Sequence, residues 1–401
     1  MSRAMDPHAA WPVPAGIQGE LVPLESCTGL AAEWTALECE ADCSPFSSWQ
    51  WVSTWLEHLP AEVRPLLFRA RDAHGVVALA LVVDCEEKGN ARWFGRRSWY
   101  LQETGDPVLD EITVEYAGLL ARPGTLEGAY RALFEALDGL PRDWRRLHIG
   151  TSAQGAAIAA ALPAGLEASS VQARPCHQVD LDAVRRAPGG YLELLGRSTR
   201  GTLRQTLRAY EALGPLRVDT AREPARALEW FDAFEALHTA SWQSRGRDGC
   251  FASPFFARFH RALIARTAAS GFAQLGRVTA GEAIVGYLYS LCWQGRLYFY
   301  NAGLNYGLLQ RHDRPGVAAL HTAVQQAADD GLHVFDFLAG DQDYKRRLAT
   351  GNVVLHSIDV RREGVRTAAE HLAKGLIHRT APATPLAHAL TTTSQPRAAR
   401  D

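Results

Sequence analysis

The same order of secondary-structure patterns occurs twice along the chain, and this repetition restricts the possible folds more than any other feature. Alternating apolar residues predict strands, and apolar residues at helical spacing predict helices. The first half gives strand, helix, hairpin, strand, helix and strand, over residues 20–26, 31–59, 65–84, 111–120, 126–140 and 145–150. The second half gives strand, two helices, hairpin, strand, helix, strand, short helix and strand, over residues 216–221, 225–245, 254–270, 273–293, 296–303, 317–330, 333–338, 341–347 and 353–360. Each half therefore predicts a mixed α/β sheet covered by helices.

The boundaries of the two units follow from where the pattern restarts. A chain of 401 residues exceeds the roughly 250 to 300 residues at which single cores stop growing. We predict a disordered lead, two α/β units and a disordered tail, at residues 1–18, 19–180, 181–370 and 371–401. The units are expected to join near residues 170–190, with a helix over 191–213 bridging two separate sheets.

The run FDFLAGDQDYKRR, residues 335–347, predicts a strand, a tight turn and a helix. Asp336 stands inside the apolar strand, where a carboxylate is costly unless it is paired or used. Ligands of open α/β sheets bind in the crevice at the carboxyl ends of the strands. We therefore expect one site formed by the polar residues of this run, namely Asp336, Asp341, Tyr344 and Lys345.

Lys345 is one of only three lysines, with Lys88 and Lys374, in a chain that otherwise carries its positive charge on arginine. An ammonium is a compact charge whose pKa responds to burial, whereas a guanidinium stays protonated. The position of Lys345 in the run indicates a role at the site. The alternative is a lysine on a helix surface.

Several segments of the chain resemble one family in the same order. The run FDFLAGDQDYKRRLA resembles the C-terminal signature of the CelD/BcsL-type acyltransferases, a branch of the GNAT superfamily related to the Fem-type peptidoglycan aminoacyltransferases. The upstream segments that share the resemblance are PFSSWQWVSTWLEHL, LLGRSTRGTLRQTLRAYEALGPLRV, LHTASWQSRGRDGCF and SPFFARFHRALI. The resemblance covers about residues 20–360 and implies a tandem GNAT-like fold of mixed α/β sheets.

The resemblance also implies the chemistry. GNAT enzymes transfer an acyl group by direct attack of the acceptor on a thioester, in a complex that holds both reactants. Acetyl-CoA or another acyl-CoA is then the co-substrate, and no tightly bound cofactor is expected. Asp336 becomes the candidate base and Tyr344 the candidate proton donor to the sulfur. Lys345 would stabilise developing negative charge or bind an acidic group of the acceptor, and Asp341 would contact the acceptor.

The acyl-CoA pyrophosphate site of GNAT enzymes is a loop of pattern Arg/Gln-x-x-Gly-x-Gly/Ala at the start of a helix, where backbone N–H groups favour anions. The matching positions here begin at Arg311 and end at Gly316, and Arg314 replaces the first glycine of the pattern. The resemblance assigns Arg311, Arg314 and Gly316 to this site, with the two arginines binding phosphate through their side chains. The alternative is an ordinary Pro-Gly helix start with solvated arginines.

A stripe of arginines is spaced to lie on one face of a helix, at Arg197, Arg200, Arg204 and Arg208. No acidic residue occurs between Glu193 and Glu211 to neutralise it. The stripe, with Arg200 and Arg204 at its centre, fits a phosphorylated acceptor or the backbone of a transfer RNA. A solvated face, or one paired with acids of the first unit, is the alternative.

Aromatic residues of the second unit are candidates for an acceptor pocket, namely Trp242, Trp293, Tyr298 and Tyr300. We assign Trp242 and Tyr300 to acceptor binding, and core packing is the alternative for all four. The sequence contains no G-x-S-x-G, P-loop or zinc-protease signature.

Charge and cysteine content exclude some classes of function. A formal net charge of −2 argues against whole-surface affinity for DNA or anionic membranes. Seven cysteines without a C-x-x-C pair predict free thiols in a reducing compartment and no metal site. No apolar run approaches the roughly 18 residues of a membrane span, and the N-terminus lacks the apolar core of a signal peptide. We therefore expect a cytoplasmic protein.

Together these features predict an N-acyltransferase that acts on an amine or hydroxyl of a sugar, a cell-envelope or exopolysaccharide precursor, or a small metabolite. One alternative is a Fem-type transferase that uses aminoacyl-tRNA, favoured by the tandem order and the arginine stripe, although no coiled-coil arm for transfer RNA is visible. The other is a GNAT-like module that binds a nucleotide or partner without catalysis.

Overall fold

A computed structural model describes residues 16–86, 97–140, 144–362 and 384–386 of the chain. The predicted lead and tail therefore lie almost entirely outside the described residues. Within these ranges no helix is both long and apolar enough to cross a membrane.

Eleven helices of four or more residues occur in the described ranges, and five of them position the site. These five are α2, α3, α8, α9 and α10, at Trp49–His58, Leu126–Asp138, Pro224–Gln243, Pro254–Thr267 and Pro315–Asp329. The others are α1, α4, α5, α6, α7 and α11, at Leu30–Glu40, Gly155–Ala161, Leu181–Arg186, Tyr191–Leu194, Arg197–Glu211 and Asp343–Leu348.

The strands of the first half are β1 to β7, at Gln18–Pro23, Leu66–Asp72, Gly75–Glu86, Arg97–Leu101, Leu120–Ala121, Trp144–Ser152 and Leu166–Asp180. Those of the second half are β8 to β14, at Leu216–Ala221, Ala273–Ala280, Ala283–Trp293, Arg296–Leu304, Val334–Ala339, Gly351–Arg362 and Thr384–Pro385. Both hairpins are confirmed, as are the helices predicted over 126–140, 225–245, 254–270 and 317–330, with small shifts at their ends.

The strands form one continuous sheet in the order β1-β2-β3-β4-β6-β13-β7-β12-β11-β10-β9-β8. The expectation of two separate sheets is therefore wrong. Each half nevertheless contributes the same arrangement, an antiparallel meander followed by one parallel pair. The parallel pairs are β4 with β6 and β11 with β12.

The two halves are joined because each gives its last long strand to the other. β13, from the end of the second half, pairs antiparallel with β6 of the first half. β7, from the end of the first half, pairs antiparallel with β12 of the second half. β7 and β13 also pair with each other along most of their length. A division of the chain at residue 180 therefore cuts between strands that are hydrogen-bonded across the boundary.

The helix expected over 191–213 is two helices, α6 and α7, separated at Leu195 and Gly196. The main packing partners of α7 are α10 and β8, both in the second half. It therefore does not bridge the two units. That role belongs to β7 and β13.

The larger apolar core extends across both halves. Trp51 of α2 packs its ring against Phe259 of α9, with centroids 4.8 Å apart, and α2 and α9 pack along each other. The second core lies on the other face of the C-terminal strands, beneath α5, α6, α7 and α10. The aromatic interface between the halves fixes one half against the other, because interiors packed at this density resist sliding.

The segment 111–120, predicted as a strand, is instead a loop that begins with a single helical turn at Asp110–Ile112 and ends at the two-residue strand β5. Two strands were missed by the sequence prediction, β4 and most of β7. The error matters because the loop carries residues of the candidate site.

Candidate active site

The site is a crevice between β11 and β12, which are parallel neighbours only at their beginnings. Their register pairs end at Tyr298 and Asp336. Beyond that point β11 continues to Leu304 and β12 to Ala339 without pairing to each other. Backbone groups on the facing edges are left without a strand partner, and a space opens between them.

The corresponding parallel strands of the first half, β4 and β6, do not separate. All residues of β4, from Arg97 to Leu101, are in register with β6. Because the strands stay paired to the end of β4, no equivalent crevice forms within it. This difference explains why the site lies in the second half of the chain.

A pocket of about 1050 Å³ occupies the crevice and extends to the end of α8 and the start of α10. Its walls include β11 and β12 residues beyond the last paired positions, such as Tyr300 and Ala339. One wall comes from the first half of the chain, through Glu111, Thr113 and Glu115. The pocket is therefore completed by both halves.

The structure places Asp336 beneath the pocket and not in its lining. Its side chain is 0% exposed, and both carboxylate oxygens accept hydrogen bonds. The donors are Tyr116 Oη at 2.6 Å, Gln178 Nε2 at 2.8 Å, Cys176 Sγ at 3.0 Å and the Leu338 amide at 2.7 Å. A carboxylate with all its oxygens engaged has no free position for a substrate proton. The expectation that Asp336 faces the crevice as a base is therefore corrected, and its contacts are structural.

Glu115 is a buried acidic residue that lines the pocket, and it was not among the site residues predicted from the sequence. Its side chain is 6% exposed, and Oε2 accepts a hydrogen bond from the Ala339 amide at 2.5 Å. Burial raises the pKa of Glu115 to about 7, and this amide and the nearby Lys345 ammonium oppose the rise. Such a carboxyl exchanges protons near neutral pH, which suits general base catalysis.

The loop that carries Glu115 is held in an unusual backbone conformation. Thr113 and Tyr116 have φ of 42° and 55°. Positive φ is costly for residues other than glycine, and most of all for a β-branched residue such as Thr113. Three contacts to the second half hold the loop in place: Tyr300 Oη donates to the Ile112 carbonyl, Ala339 to Glu115, and Tyr116 to Asp336. Asp336 and Tyr300 thus position Glu115.

Lys345 is buried, with 7% of its surface exposed, so the alternative of a surface lysine is wrong. Its Nζ donates to the carbonyls of Leu338 and Ala339, at 3.1 and 3.0 Å. Leu338 has φ of 60°, and these two bonds hold the carbonyls that this conformation turns away from the sheet. Burial lowers the pKa of Lys345, while the charge of Glu115 raises it. Lys345 therefore supports the end of β12, and its positive charge interacts with the carboxylate of Glu115.

Tyr344, at the start of α11, lines the pocket and is 37% exposed. The surrounding protein raises the pKa of Tyr344 to about 12, so its hydroxyl keeps its proton throughout the neutral range. A protonated phenol at the pocket wall is a competent proton donor.

The start of α10 forms another wall of the pocket, through Arg314, Pro315 and Gly316. No side chain caps this helix, so its N-terminal partial positive charge is available to an anion. Arg314 has no ion-pair partner among the described residues. Arg311 is exposed and does not line the pocket. The structure thus brings two of the three residues predicted for the pyrophosphate loop to the site.

The predicted acceptor residues divide into two groups. Trp242 and Tyr300 line the pocket. Asp341 lies outside it, where its carboxylate pairs with Arg346 at 3.0 Å.

Arg200 and Arg204 also lie outside the pocket, on the outer side of α7. No carboxylate of the described chain comes within ion-pair distance of the four stripe arginines, so pairing with acids of the first half is not observed there. Among the described residues, no cluster of His, Cys, Asp and Glu is arranged to hold a metal ion.

A family model matches the part of the chain that supplies most of the pocket. Residues 197–346 match the family of acetyltransferase (GNAT) domains. No curated protein sequence is significantly similar to the chain. Among solved structures, FemX superposes with a TM-score of 0.55 at 10% identity, covering 85% of this chain and 98% of FemX. L-PGS from Bacillus licheniformis gives a TM-score of 0.50 at 13% identity, covering 88% of this chain and 97% of L-PGS.

The fold and the matched domain define an acyltransferase. In particular, residues 197–346 match the GNAT acetyltransferase domain, and the whole chain has a mixed α/β fold that it shares with FemX. The alternative of a module without catalytic activity is therefore not supported.

Proposed function

We propose that this protein is an N-acyltransferase that uses an acyl-CoA donor, and the observation that carries the proposal is the opening between β11 and β12. The amide-bearing arm of coenzyme A can add to unpaired strand edges as a peptide does in strand addition. Asn301 and Ala302 of β11 line this opening, and β11 is the edge proposed for this addition. On the β12 side, the amides and carbonyls of Leu338 and Ala339 are already bonded to Asp336, Glu115 and Lys345. The opening leads to the α10 N-terminus at one end and to Glu115 on its wall.

The α10 end of the pocket fits a pyrophosphate. The helix has no side-chain cap, and Gly316 carries no side chain that would cover the backbone there. A Cβ at Gly316 would come within 3.1 Å of the Leu304 side chain, so this position has little room for any other residue. Arg314 contributes a guanidinium, which suits bidentate contact with phosphate oxygens. These features support acetyl-CoA or another acyl-CoA as co-substrate.

A bound acyl-CoA would supply the thioester carbonyl to which the acceptor nitrogen adds. The Glu115 carboxylate takes the proton that the acceptor nitrogen loses as the N–C bond forms. Tyr344 gives its hydroxyl proton to the sulfur as the C–S bond breaks. Lys345 fixes the β12 carbonyls and keeps Glu115 partly ionised at neutral pH. Each proton therefore has a donor and an acceptor in the protein.

Two further pocket residues favour direct transfer over an acylated enzyme. Cys250 and His238 line the pocket with Sγ and Nε2 3.7 Å apart. Burial raises the pKa of Cys250 to about 12 and lowers the pKa of His238 to about 4. Both groups are thus neutral at pH 7, and the thiolate needed for covalent catalysis is scarce.

The acceptor class proposed is an amine of a sugar, a cell-envelope or exopolysaccharide precursor, or a small metabolite. This part rests on the resemblance of residues 335–349 to CelD/BcsL-type acyltransferases.

Donor binding tests the proposal directly. We expect acetyl-CoA to raise the melting temperature of the protein and to bind with a Kd measurable by calorimetry. Arg314→Gln should weaken binding about ten-fold, as expected for a lost charged contact to phosphate. Arg64→Gln is the matched control, because Arg64 is an exposed arginine outside this pocket. If no acyl-CoA binds to the wild-type protein, the donor assignment is wrong.

A second candidate is a Fem-type transferase that uses aminoacyl-tRNA, and the unpaired arginine stripe favours it. Arg197, Arg204 and Arg208 are exposed and Arg200 is partly exposed, on a helix that carries no acid between positions 193 and 211. If transfer RNA binds here, the double variant Arg200→Gln/Arg204→Gln should weaken binding of an aminoacyl-tRNA pool and reduce its salt dependence. Unchanged binding and salt dependence would leave the stripe a solvated face.

A further inference from the structure

The pocket has a basic end that the proposed transfer does not use. After α8 the chain makes a tight turn in which Gly246 has φ of 70°. The Arg245 and Arg247 amides both donate to the Trp242 carbonyl, at 3.0 and 3.1 Å. This turn places the side chains of Arg245 and Arg247 on the pocket wall, on either side of Gly246.

Both guanidiniums are supported by aromatic rings. Arg245 Cζ lies 5.7 Å from the centroid of Tyr306, and Arg247 Cζ lies 5.9 Å from that of Trp242. Stacking holds the guanidinium plane while leaving its N–H groups available. In the described part of the chain neither arginine has a carboxylate within 4 Å, and Arg245 makes only a long contact to Tyr306 Oη at 3.4 Å.

The same pocket carries carboxylates on a different element. Glu111 and Glu115 line it from the loop of the first half. Asp313 lines it beside Arg314, and its carboxylate accepts hydrogen bonds from Tyr210 Oη and the Gly307 amide. Burial raises the pKa of Glu111 and Glu115, and Glu115 is the proposed base. The pocket thus carries free-facing acids on the first-half loop and, on the turn after α8, two arginines that have no ion-pair partner in the described ranges. Such a pocket is complementary to a ligand that has both signs of charge.

We propose that the acceptor is a primary amine that carries a second, anionic group, a carboxylate or a phosphate, bound by Arg245 and Arg247 while its amine reaches Glu115. This inference rests on the proposed function and specifies its acceptor. The reaction then joins the acyl group to the nitrogen and leaves the anionic group unchanged, so the product carries one positive charge fewer than the substrate.

The competing role for these arginines is structural, because cations near a helix C-terminus stabilise it through its dipole. That role predicts a lower melting temperature in the variants and no dependence of binding on the charge of the ligand. The two roles are therefore separated by comparing ligands of equal length.

The test uses a series of ω-amino carboxylates and aminoalkyl phosphates of increasing chain length, with n-alkylamines of matched length. Calorimetry with and without coenzyme A should show the anionic amines binding at least about ten-fold more tightly than the matched alkylamines. In Arg245→Gln/Arg247→Gln this advantage should disappear, and in the control Arg64→Gln it should persist. The carboxylate and phosphate series show which anionic group is preferred.

Turnover with acetyl-CoA gives the second readout. Anionic amines should show the lower KM in the wild-type enzyme, and the double variant should raise that KM more than it lowers kcat. Equal binding of charged and plain amines, or no binding of any anionic amine, overturns the inference. If acetyl-CoA binds normally in that case, the proposed donor stands. If the double variant has a lower melting temperature but keeps the preference for anionic amines, the two arginines stabilise the end of α8, and the inference is likewise overturned.

Discussion

The backbone amide of Ala339 donates a hydrogen bond of 2.5 Å to Glu115, a residue 224 positions earlier in the chain. This bond joins the loop of the first half to the end of β12 in the second. It holds a carboxyl group of raised pKa at the wall of the crevice between β11 and β12. The most informative variants therefore change Glu115, the residues that contact it, or other residues that line the same pocket.

Replacing Glu115 with Gln should lower kcat by about 10²- to 10⁴-fold, the usual contribution of a general base. The base acts as a carboxylate, so wild-type kcat/KM should fall as pH drops through about 7, the raised pKa of Glu115. The variant should lose this acidic limb. Glu167→Gln, at an exposed position of β7, is the control and should keep it. An unchanged limb in Glu115→Gln would assign the base elsewhere.

Replacing Tyr344 with Phe should lower kcat by about 10²- to 10⁴-fold with little change in acyl-CoA affinity, because the lost hydroxyl acts only as the C–S bond breaks. The partly exposed ring should leave the free energy of unfolding within about 0.5 kcal/mol of wild type. An aryl thioester, whose thiol is a better leaving group, should recover much of the rate. Equal loss with both donors would exclude Tyr344 as the acid.

Replacing Lys345 with Met removes a charge of opposite sign from the surroundings of Glu115. The pKa of Glu115 should rise further, so the acidic limb of the kcat/KM profile should move up by about one pH unit. If the role of Lys345 were purely structural, Lys345→Met would lower the melting temperature and leave the midpoint of the acidic limb unchanged. Lys345→Arg keeps the charge, so its midpoint should stay near that of wild type even if packing suffers.

Replacing Asp336 with Asn should cost roughly 3 kcal/mol of unfolding free energy, because an amide N–H₂ would face N–H and O–H donors in a buried network. The rate should fall through displacement of the Glu115 loop, while the acidic limb keeps its midpoint. If that limb vanishes in a variant that folds normally, Asp336 is the base after all.

Local sequence patterns predicted much of this arrangement where the relevant contacts are local. The run that contains Asp336 and Lys345 is a strand, turn and helix as expected, and its lysine is buried. Glu115 was missed because residues 111–120 alternate like a strand, whereas the contacts that hold them as a loop come from residues distant in the chain. These contacts are made by Thr151 and Gln154 of the first half and by Tyr300 and Ala339 of the second. An acid inside an apolar run is a signal that Glu115 shares with Asp336.

The exchange of β7 and β13 could not be predicted from sequence for a related reason. Most of β7 was not predicted as a strand, and β13 was predicted as the last strand of its own unit. The pairing partners of β7 and β13 depend on the geometry of the assembled sheet, which no local sequence pattern encodes. Arg311 and Asp341 show the same limit at single positions, because a motif position does not determine on which side of a loop a side chain falls.

The exchanged strands also set the order in which a nascent chain can finish its sheet. β6 ends at Ser152, and its partner β13 begins at Gly351, about 200 residues later. At roughly 5 to 20 residues per second, the ribosome needs about 10 to 40 s to deliver that partner. During this interval β6 has an open edge that a second nascent chain or β7 itself can occupy. Slow synthesis between these strands would therefore favour mispaired products, and the yield of active protein should depend on translation speed as well as on stability.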